Sequence, residues 1–584
     1  MKFFLNFCIG GIIGACGGAD HVTTDDVQKA FEQPPVPIRH TLSGDYLASR
    51  FAQNHKDWKT AQEYVNNVLN YDSGNQELQR RAMVLAIGSG DVRQGIATAR
   101  EILKHDPENA LALMFMATNA IEQQDYQKTV EYLSRIPQGS IADFIGPLLT
   151  AWAKAGMGKS EADALAKSSP LHAYHALLIE DFLGTLKNPD DYLGAVLSDL
   201  HVDIYELEKI ADILMRHGKK EDAQKLYQLI KDQNFGSETI DEKLTSLKNG
   251  KDFADGNRIL SAQQGAAEAL FDMARVLFRE YSDDSAIIFA RMALHLRPDF
   301  PDAKVLLADI LSRNDQKELA IQYFTSVSPQ SSLYIRAQHR AADLLDREGK
   351  TDQAIKLLEK LYEDHHDLDS LIMIGDLYRS AENFEKALEI YNEAAEKLGE
   401  NALPSYWNLF YARGITQERL DNMNLAEKDL LKAIEYNPGN PYILNYLGYS
   451  WADHGKNLDR ALEMIQQAVA IKSTDGYIVD SLGWVYYRMN RFDESSKVLE
   501  KAVALLPYDP TINDHLGDAY WQTDRRAEAR FQWQRALNYA TEETDTAAIE
   551  NKLEHGIELL APSPVKQAKT EVKEQQDTSP VQSE

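Results

Sequence analysis

From Gly476 the chain reads GYIVDSLGWVYYRMNRFDESSKVLEKAVALLPYD, and from Pro510 it continues PTINDHLGDAYWQTDRRAEARFQWQRALNYATEE. With those two starts aligned, 34 residues apart, Val479 falls on Asn513, Leu482-Gly483 on Leu516-Gly517 and Tyr486 on Tyr520. Ser495 then falls on Ala529, Leu499 on Trp533 and Ala502 on Ala536, and Pro507 closes the first copy. Small residues recur at fixed positions between large ones. Self-similarity at a period of this length marks a stack of one small unit, each copy burying its face on the next.

The spacing and pattern resemble the tetratricopeptide repeat, a helix-turn-helix unit whose small residues let two antiparallel helices cross closely. The resemblance implies an all-α superhelical solenoid. Working outward, thirteen unit starts fall at 42, 76, 110, 144, 204, 267, 301, 335, 368, 407, 441, 476 and 510. Their anchors include Ala61, Ile102 with Pro107, Ala223, Ala274 with Ala286, Ala320, Ala354, Gly375 with Ala387, Gly414 with Ala426, and Gly448 with Ala461. These starts divide the chain into an N-terminal array over 42–236 and a C-terminal array over 267–543. Between them, 237–266 holds Gly250 and Gly256 among charges and is expected to be an irregular hinge. The unit from 144 is degenerate, and the long gaps around it predict extra helices, one over Ala173 to Thr185. Residues 544–560, with Ile549, Leu553, Ile557 and Leu560 in helical period, predict a capping helix. The tail, 561–584, has no apolar period and is expected to be disordered.

Both cysteines, Cys8 and Cys16, lie at the start of the chain, which leaves the rest without a disulfide or a thiolate metal site. Lys2 is followed by an apolar stretch from Phe3 to Ala15, too short to span a bilayer and matched to a secretory signal. Ile13-Gly14-Ala15-Cys16 resembles the bacterial lipobox, which implies a signal peptide over 1–15 and acylation of Cys16. A plain signal cut near Ala15 or Ala19, giving a soluble periplasmic protein, and an uncleaved anchor are the alternatives. Gly17 is not the aspartate that retains many such lipoproteins at the inner membrane, so the resemblance implies the periplasmic face of the outer membrane. Residues 16–41, with Pro34, Pro35 and Pro37, form an expected tether.

Lys+Arg 62 against Asp+Glu 90 gives a net charge of −28, which repels phosphate polymers and argues against nucleic-acid binding. A neutral or basic protein partner is expected instead. With 44% hydrophobic residues, 26% charged residues and a mean hydropathy of −0.43, the chain can bury cores and is no multispan membrane protein.

Catalytic constellations are missing. Gly88-Ser89-Gly90 has no following Gly-Lys-Ser/Thr and reads as a turn; His365-His366 with Asp367 and Asp369 reads as a helix end. His172 and His175 have no carboxylate at matching spacing. No enzyme, metal or cofactor is expected. The functional surface is instead the concave face, lined in this repeat by unit positions 2, 5, 9 and 12. These are Tyr442, Asn445, Tyr449 and Ala452, then Tyr477, Asp480, Trp484 and Tyr487, then Thr511, Asp514, Asp518 and Trp521. Aromatic rings beside Asn and Asp suit an extended peptide, the rings supplying area and the polar groups pairing with backbone or basic side chains. Tyr449 and Trp484 are also open to a plain packing role. The peptide-clamp variety of the repeat grips a terminal carboxylate with lysines; Asp480, Asp514 and Asp518 would repel one.

The strings Asn445-Tyr446-Leu447-Gly448-Tyr449, Asp480-Ser481-Leu482-Gly483-Trp484 and Asn513-Asp514-His515-Leu516-Gly517-Asp518, with the lipobox, resemble envelope lipoproteins of proteobacteria within this repeat family. One relative is the lipoprotein adaptor of a periplasmic carboxyl-terminal processing protease. The resemblance implies a non-enzymatic scaffold that gathers a protease and its substrates. The alternative is a structural subunit of a polysaccharide-export or pilus-assembly complex.

Overall fold

The computed structural model describes residues 40–139, 142–197, 204–232, 238–249, 258–399 and 403–557. The signal peptide with Cys16, nearly all of the tether, the tail and parts of 237–266 lie outside them. All regular structure among the described residues is helical, and successive helices pair antiparallel as an all-α solenoid. Helices begin at Leu42, Gln76, Ala110, Ile204, Pro301, Leu368, Trp407, Pro441, Gly476 and Pro510, each at an expected unit start. The helix expected from 267 begins earlier, at Ala262, where Ser261 caps the amide of Gln264 and a run of good helix formers extends it to Arg279.

Local chemistry fixes each unit. Asn440, Asp475 and Asp509 accept hydrogen bonds from the first free amides of the helices Pro441–Asp453, Gly476–Arg488 and Pro510–Gln522. Pro at the first turn of the first and last of these costs no hydrogen bond. At the other end, Asn490 (φ 56°) and Asp524 (φ 62°) adopt the left-handed conformation that short polar side chains tolerate. The amides of Arg491 and Arg525 then reach back to the carbonyls of Tyr486 and Tyr520, at 2.9 Å each, and the chain turns into its second helix.

Inside a unit the two helices touch at the small residues. A Cβ on Gly483 would lie 2.5 Å from Leu499, and one on Gly517 2.4 Å from the indole of Trp533. Opposite them Ala529, Ala461 and Ala387 are fully buried, and Ser495 donates its hydroxyl to the Gly483 carbonyl at 2.8 Å. Larger residues such as Tyr391, Leu430 and Trp533 seal neighbouring units.

The chain forms two compact units, one up to Gly146 and one from Pro147. That boundary lies upstream of 237–266, where the sequence places a hinge. The described part of 237–266 carries the helix Glu238–Lys248 and the first turns of Ala262–Arg279; Lys243 there is buried, while Asp241, Glu242, Lys248 and Arg258 are exposed. Lys243 meets Glu208 at 2.8 Å and Asp212 at 2.7 Å. Nearby, the fully buried Glu268 takes Lys209 at 2.5 Å and Arg297 at 3.3 Å, and Asp272 takes His175 at 3.1 Å. Paired in this way, Lys243, Glu268 and Asp272 are core groups. The degenerate unit from 144 has a second helix of only four residues, Ala162–Leu165, and the expected extra helix is Pro170–Leu183. The C-terminal helix runs Thr546–His555 and buries Ile549.

The close helix crossing can be checked by substitution. Gly517→Ala should lower the stability of the chain by about 1–3 kcal/mol in urea unfolding, because the Trp533 indole has no room to retreat. Gly439→Ala, with nothing within 4 Å, should leave stability nearly unchanged.

Candidate peptide-binding groove

The helices Pro441–Asp453, Gly476–Arg488 and Pro510–Gln522 carry every groove residue named from the sequence, but they do not present them alike. Tyr442 is 39% exposed, with the Lys472 ammonium 5.9 Å from its ring centroid. Tyr449 packs on the core around Ala452 and Leu482. Tyr477 is half-buried against Val479 and Ala502. Burial, with Asp509 nearby, raises its phenol above the usual range. Asn445 is only 5% exposed, and its Oδ1 has no hydrogen-bond partner among the described residues.

Trp484 lies between two rings, stacked on Tyr487 at 5.0 Å and on His515 at 4.1 Å. Its indole Nε1 is buried and has no acceptor among the described residues. Burial pushes the Tyr487 phenol up to about 12, with Asp518 adding to the rise. The packing alternative for Trp484 therefore holds for its faces but not for its N–H.

The three aspartates correct the expected charge pattern. None is a free carboxylate facing a partner. Asp480 is buried, and both its oxygens lie 3.0 Å from His515 Nδ1. Lys552, from the C-terminal helix, donates to Asp514 at 2.7 Å and to Asp518 at 2.8 Å. Asp518 also accepts the Trp533 indole N–H at 2.9 Å. Burial raises the Asp518 carboxyl to about 6, and Asp514 adds to the rise despite Lys552 alongside. Burial works against the Lys552 ammonium, yet the two carboxylates hold it above its usual range. Trp521 is likewise engaged: its indole N–H reaches the Ile557 carbonyl at 3.0 Å, and Gly556 lies against its ring. Asp514, Asp518 and Trp521 thus hold the C-terminal helix in place.

His515 and Lys552 are the site residues that sequence reasoning passed over. The available signal was their offset: His515 lies 35 residues after Asp480, and Lys552 lies 34 after Asp518, about one period in each case. A base one unit ahead of an inward acid is the pattern to search for.

The other singled-out residues are structural. Gly90 ends its helix with φ 96°, and Gly88 makes room for the Trp58 ring. His366 is a left-handed helix end, and Asp367 caps Leu368–Ser380. His172 holds Ser169 at 2.7 Å, and His175 bridges Trp152 and Asp272 at 3.1 Å each, fully buried. One trio has the residue types of a hydrolase triad but not its arrangement: His339 Nε2 lies 3.0 Å from Ser370 Oγ and 2.9 Å from Asp367. Serine and aspartate share the same ring nitrogen, Ser370 gives its proton to Asp367 at 2.7 Å, and Ser370 is fully buried. A triad needs the acid on the other nitrogen and an open serine. Among the described residues no group of three or more His, Cys, Asp or Glu is placed to hold a metal ion.

The tetratricopeptide repeat family model matches residues 339–402, 411–476 and 481–542, so those segments carry repeats of this type. A TPR repeat-containing protein of Pseudomonas aeruginosa is 28% identical over 185 residues, 31% of this chain. The match spans 30% of that relative's own length. Among solved structures, the Cut9–Hcn1 hetero-tetramer of the APC/C is 14% identical with a TM-score of 0.38, covering 89% of this chain and 97% of that one. Yeast Tom70 is 15% identical with a TM-score of 0.28, covering 88% and 95%. A MamA protein is 21% identical with a TM-score of 0.26, covering 33% and 98%.

The Asp480–His515 pair has a measurable signature. Burial works to lower the imidazole, but the Asp480 carboxylate outweighs it and raises His515 above 6.5. A raised folded value contributes stability below the unfolded value of about 6.5, and that stability is lost as pH rises through the folded one. His515→Asn should therefore flatten the fall in melting temperature across that window. In Asp480→Asn the His515 resonance should titrate at lower pH; an unmoved titration would uncouple the two residues.

Proposed function

We propose that the chain is a non-enzymatic scaffold that holds an extended segment of a partner protein across the helices Pro441–Asp453 and Gly476–Arg488. The observation that carries this reading is the set of groups there without a hydrogen-bond partner among the described residues, the Asn445 oxygen acceptor and the Trp451 and Trp484 indole donors. Leaving such groups buried without partners costs about 1–3 kcal/mol each, and a peptide backbone supplies both a donor and an acceptor. Tyr442 and the half-buried Tyr477 offer the ring area that anchors such a segment. With Asp480, Asp514 and Asp518 paired inside the chain, a neutral segment suits this face better than a basic one.

The finer reading rests on the N-terminal and repeat sequences. Ile13-Gly14-Ala15-Cys16 supports lipidation at Cys16 and anchoring to the periplasmic face of the outer membrane. The resemblance to an envelope lipoprotein adaptor supports a processing protease and its substrates as partners. The envelope-complex subunit remains the second reading, and it shares the lipobox. Labelling with a palmitate analogue should mark the native protein and not Cys16→Ser; equal labelling of both would remove the anchor.

The groove is tested by two variants. Asn445→Leu removes one unpartnered polar atom, so melting temperature should hold or rise. Trp484→Phe removes another but also gives up ring area stacked on Tyr487 and His515, so its melting temperature should fall modestly while the chain stays folded. Recovery of crosslinked partners, quantified by mass spectrometry, should fall about tenfold for each, the loss of one good hydrogen bond in a complex. Undiminished recovery from both folded variants would place binding elsewhere.

A further inference from the structure

In the first compact unit, the helices Leu42–Asn54 and Gln76–Ser89 bring together two arginines that have no acid to meet. Arg81 reaches across and donates Nη2 to Ser49 Oγ at 3.2 Å, with its guanidinium carbon 5.5 Å from the centroid of the Tyr46 ring. Its Nε and Nη1 are covered and have no acceptor among the described residues. Arg50 is exposed on the helix opposite, close enough for its charge to act on Arg81. Burial first, and then Arg50, lower the Arg81 guanidinium from its ordinary range, with the Tyr46 hydroxyl opposing.

Among the described residues no carboxylate comes within 4 Å of Arg81 or Arg50. The acid beside them, Asp45, is turned to His40 Nδ1 at 2.9 Å. Several arginines that cross between helices find a carboxylate: Arg216 meets Asp181 at 2.7 Å, Arg413 meets Asp429 at 2.7 Å, and the neighbouring Arg80 meets Asp106 at 3.0 Å. Arg291 and Arg535, which meet none among the described residues, reach the Tyr323 hydroxyl and the Asn513 and Pro507 oxygens instead. With 90 acidic residues against 62 basic ones, two adjacent cations left unneutralised stand against the composition. Tyr46 and Arg50 also occupy unit positions 5 and 9, the inward positions that Asp480 and Trp484 hold in the unit from 476.

We propose that Arg81 and Arg50, with the Tyr46 hydroxyl, form a carboxylate-binding site that takes an acidic side chain of a partner polypeptide. Guanidinium and carboxylate match in shape as well as charge, and the covered nitrogens of Arg81 gain acceptors when the Tyr46 ring shifts aside. The site lies in a different unit from the groove at 441–488 and is opposite to it in character, so neither reading depends on the other. A chain of this net charge repels acidic peptides in general, which makes any capture of one a local event.

The test uses the full chain and two fluorescein-labelled probes, penta-aspartate and penta-asparagine, followed by fluorescence anisotropy at about 20 mM salt, where screening is weak. The aspartate probe should bind and the asparagine probe should not. Arg81→Met, which keeps the aliphatic stem over Tyr46, and Arg50→Gln should each weaken binding about tenfold or more. Arg100→Gln, an exposed arginine in the same compact unit, should leave it unchanged, and circular dichroism should show all three variants folded. Absence of aspartate binding by the native chain, equal binding by Arg81→Met and Arg50→Gln, or an equal loss in Arg100→Gln would overturn the proposal. Displacement by inorganic phosphate as effective as by free aspartate would overturn its selectivity for carboxylate.

Discussion

The close crossing of two helices at a pair of small residues is what the rest of the structure depends on. Where Gly483 faces Leu499 and Gly517 faces Trp533, there is no room for a methyl group. That approach aims the first helix of each unit at the next one, so its large residues reach across the joint and its inward residues share one face. The left-handed turn at Asn490 or Asp524 is the second half of the constraint, since it sets the angle at which the second helix returns. Burial at the joints then follows from geometry already fixed within each unit.

Electrostatics is laid over that frame with the same period. Asp480 is answered by His515 and Asp518 by Lys552, in each case from the following helix of the same class. Inward-facing acids in such an array are joints between units before they are contacts for a partner. What lacks a hydrogen-bond partner at 441–488 among the described residues is neutral and buried: one amide oxygen, at Asn445, and two indole N–H groups, at Trp451 and Trp484. Toward the other end of the sequence Arg81 keeps two guanidinium nitrogens without an acceptor among the described residues, and for that reason it draws a function.

The helix starts were legible because the first-helix pattern is strict: Pro301, Leu368, Trp407, Pro441, Gly476 and Pro510 begin helices at the positions the period marks. The groove positions were legible as inward positions for the same reason. Their chemistry was not, because it depends on a residue a full unit away. Asp514 and Asp518 read as exposed acids until Lys552 is placed between them, and Trp484 reads as an open ring until His515 stacks on it. Within 237–266 nothing in the sequence marks which charge is buried: only the partners Glu208 and Asp212 mark Lys243 as a core group among exposed neighbours such as Asp241 and Lys248.

The one-period offset of acid and base gives the units an order. If the unit from 476 to 509 were excised, the backbone could close again in the same phase, since Asp475 would then precede Pro510 and cap its helix as Asp509 does. His515 would face Asn445 in place of Asp480, and a neutral amide offers its ring no charge to hold. The repeats are therefore alike in their folding instructions and unlike in their addresses. Such an array can drift in surface sequence freely, but it cannot be shuffled: each joint recognises its own successor.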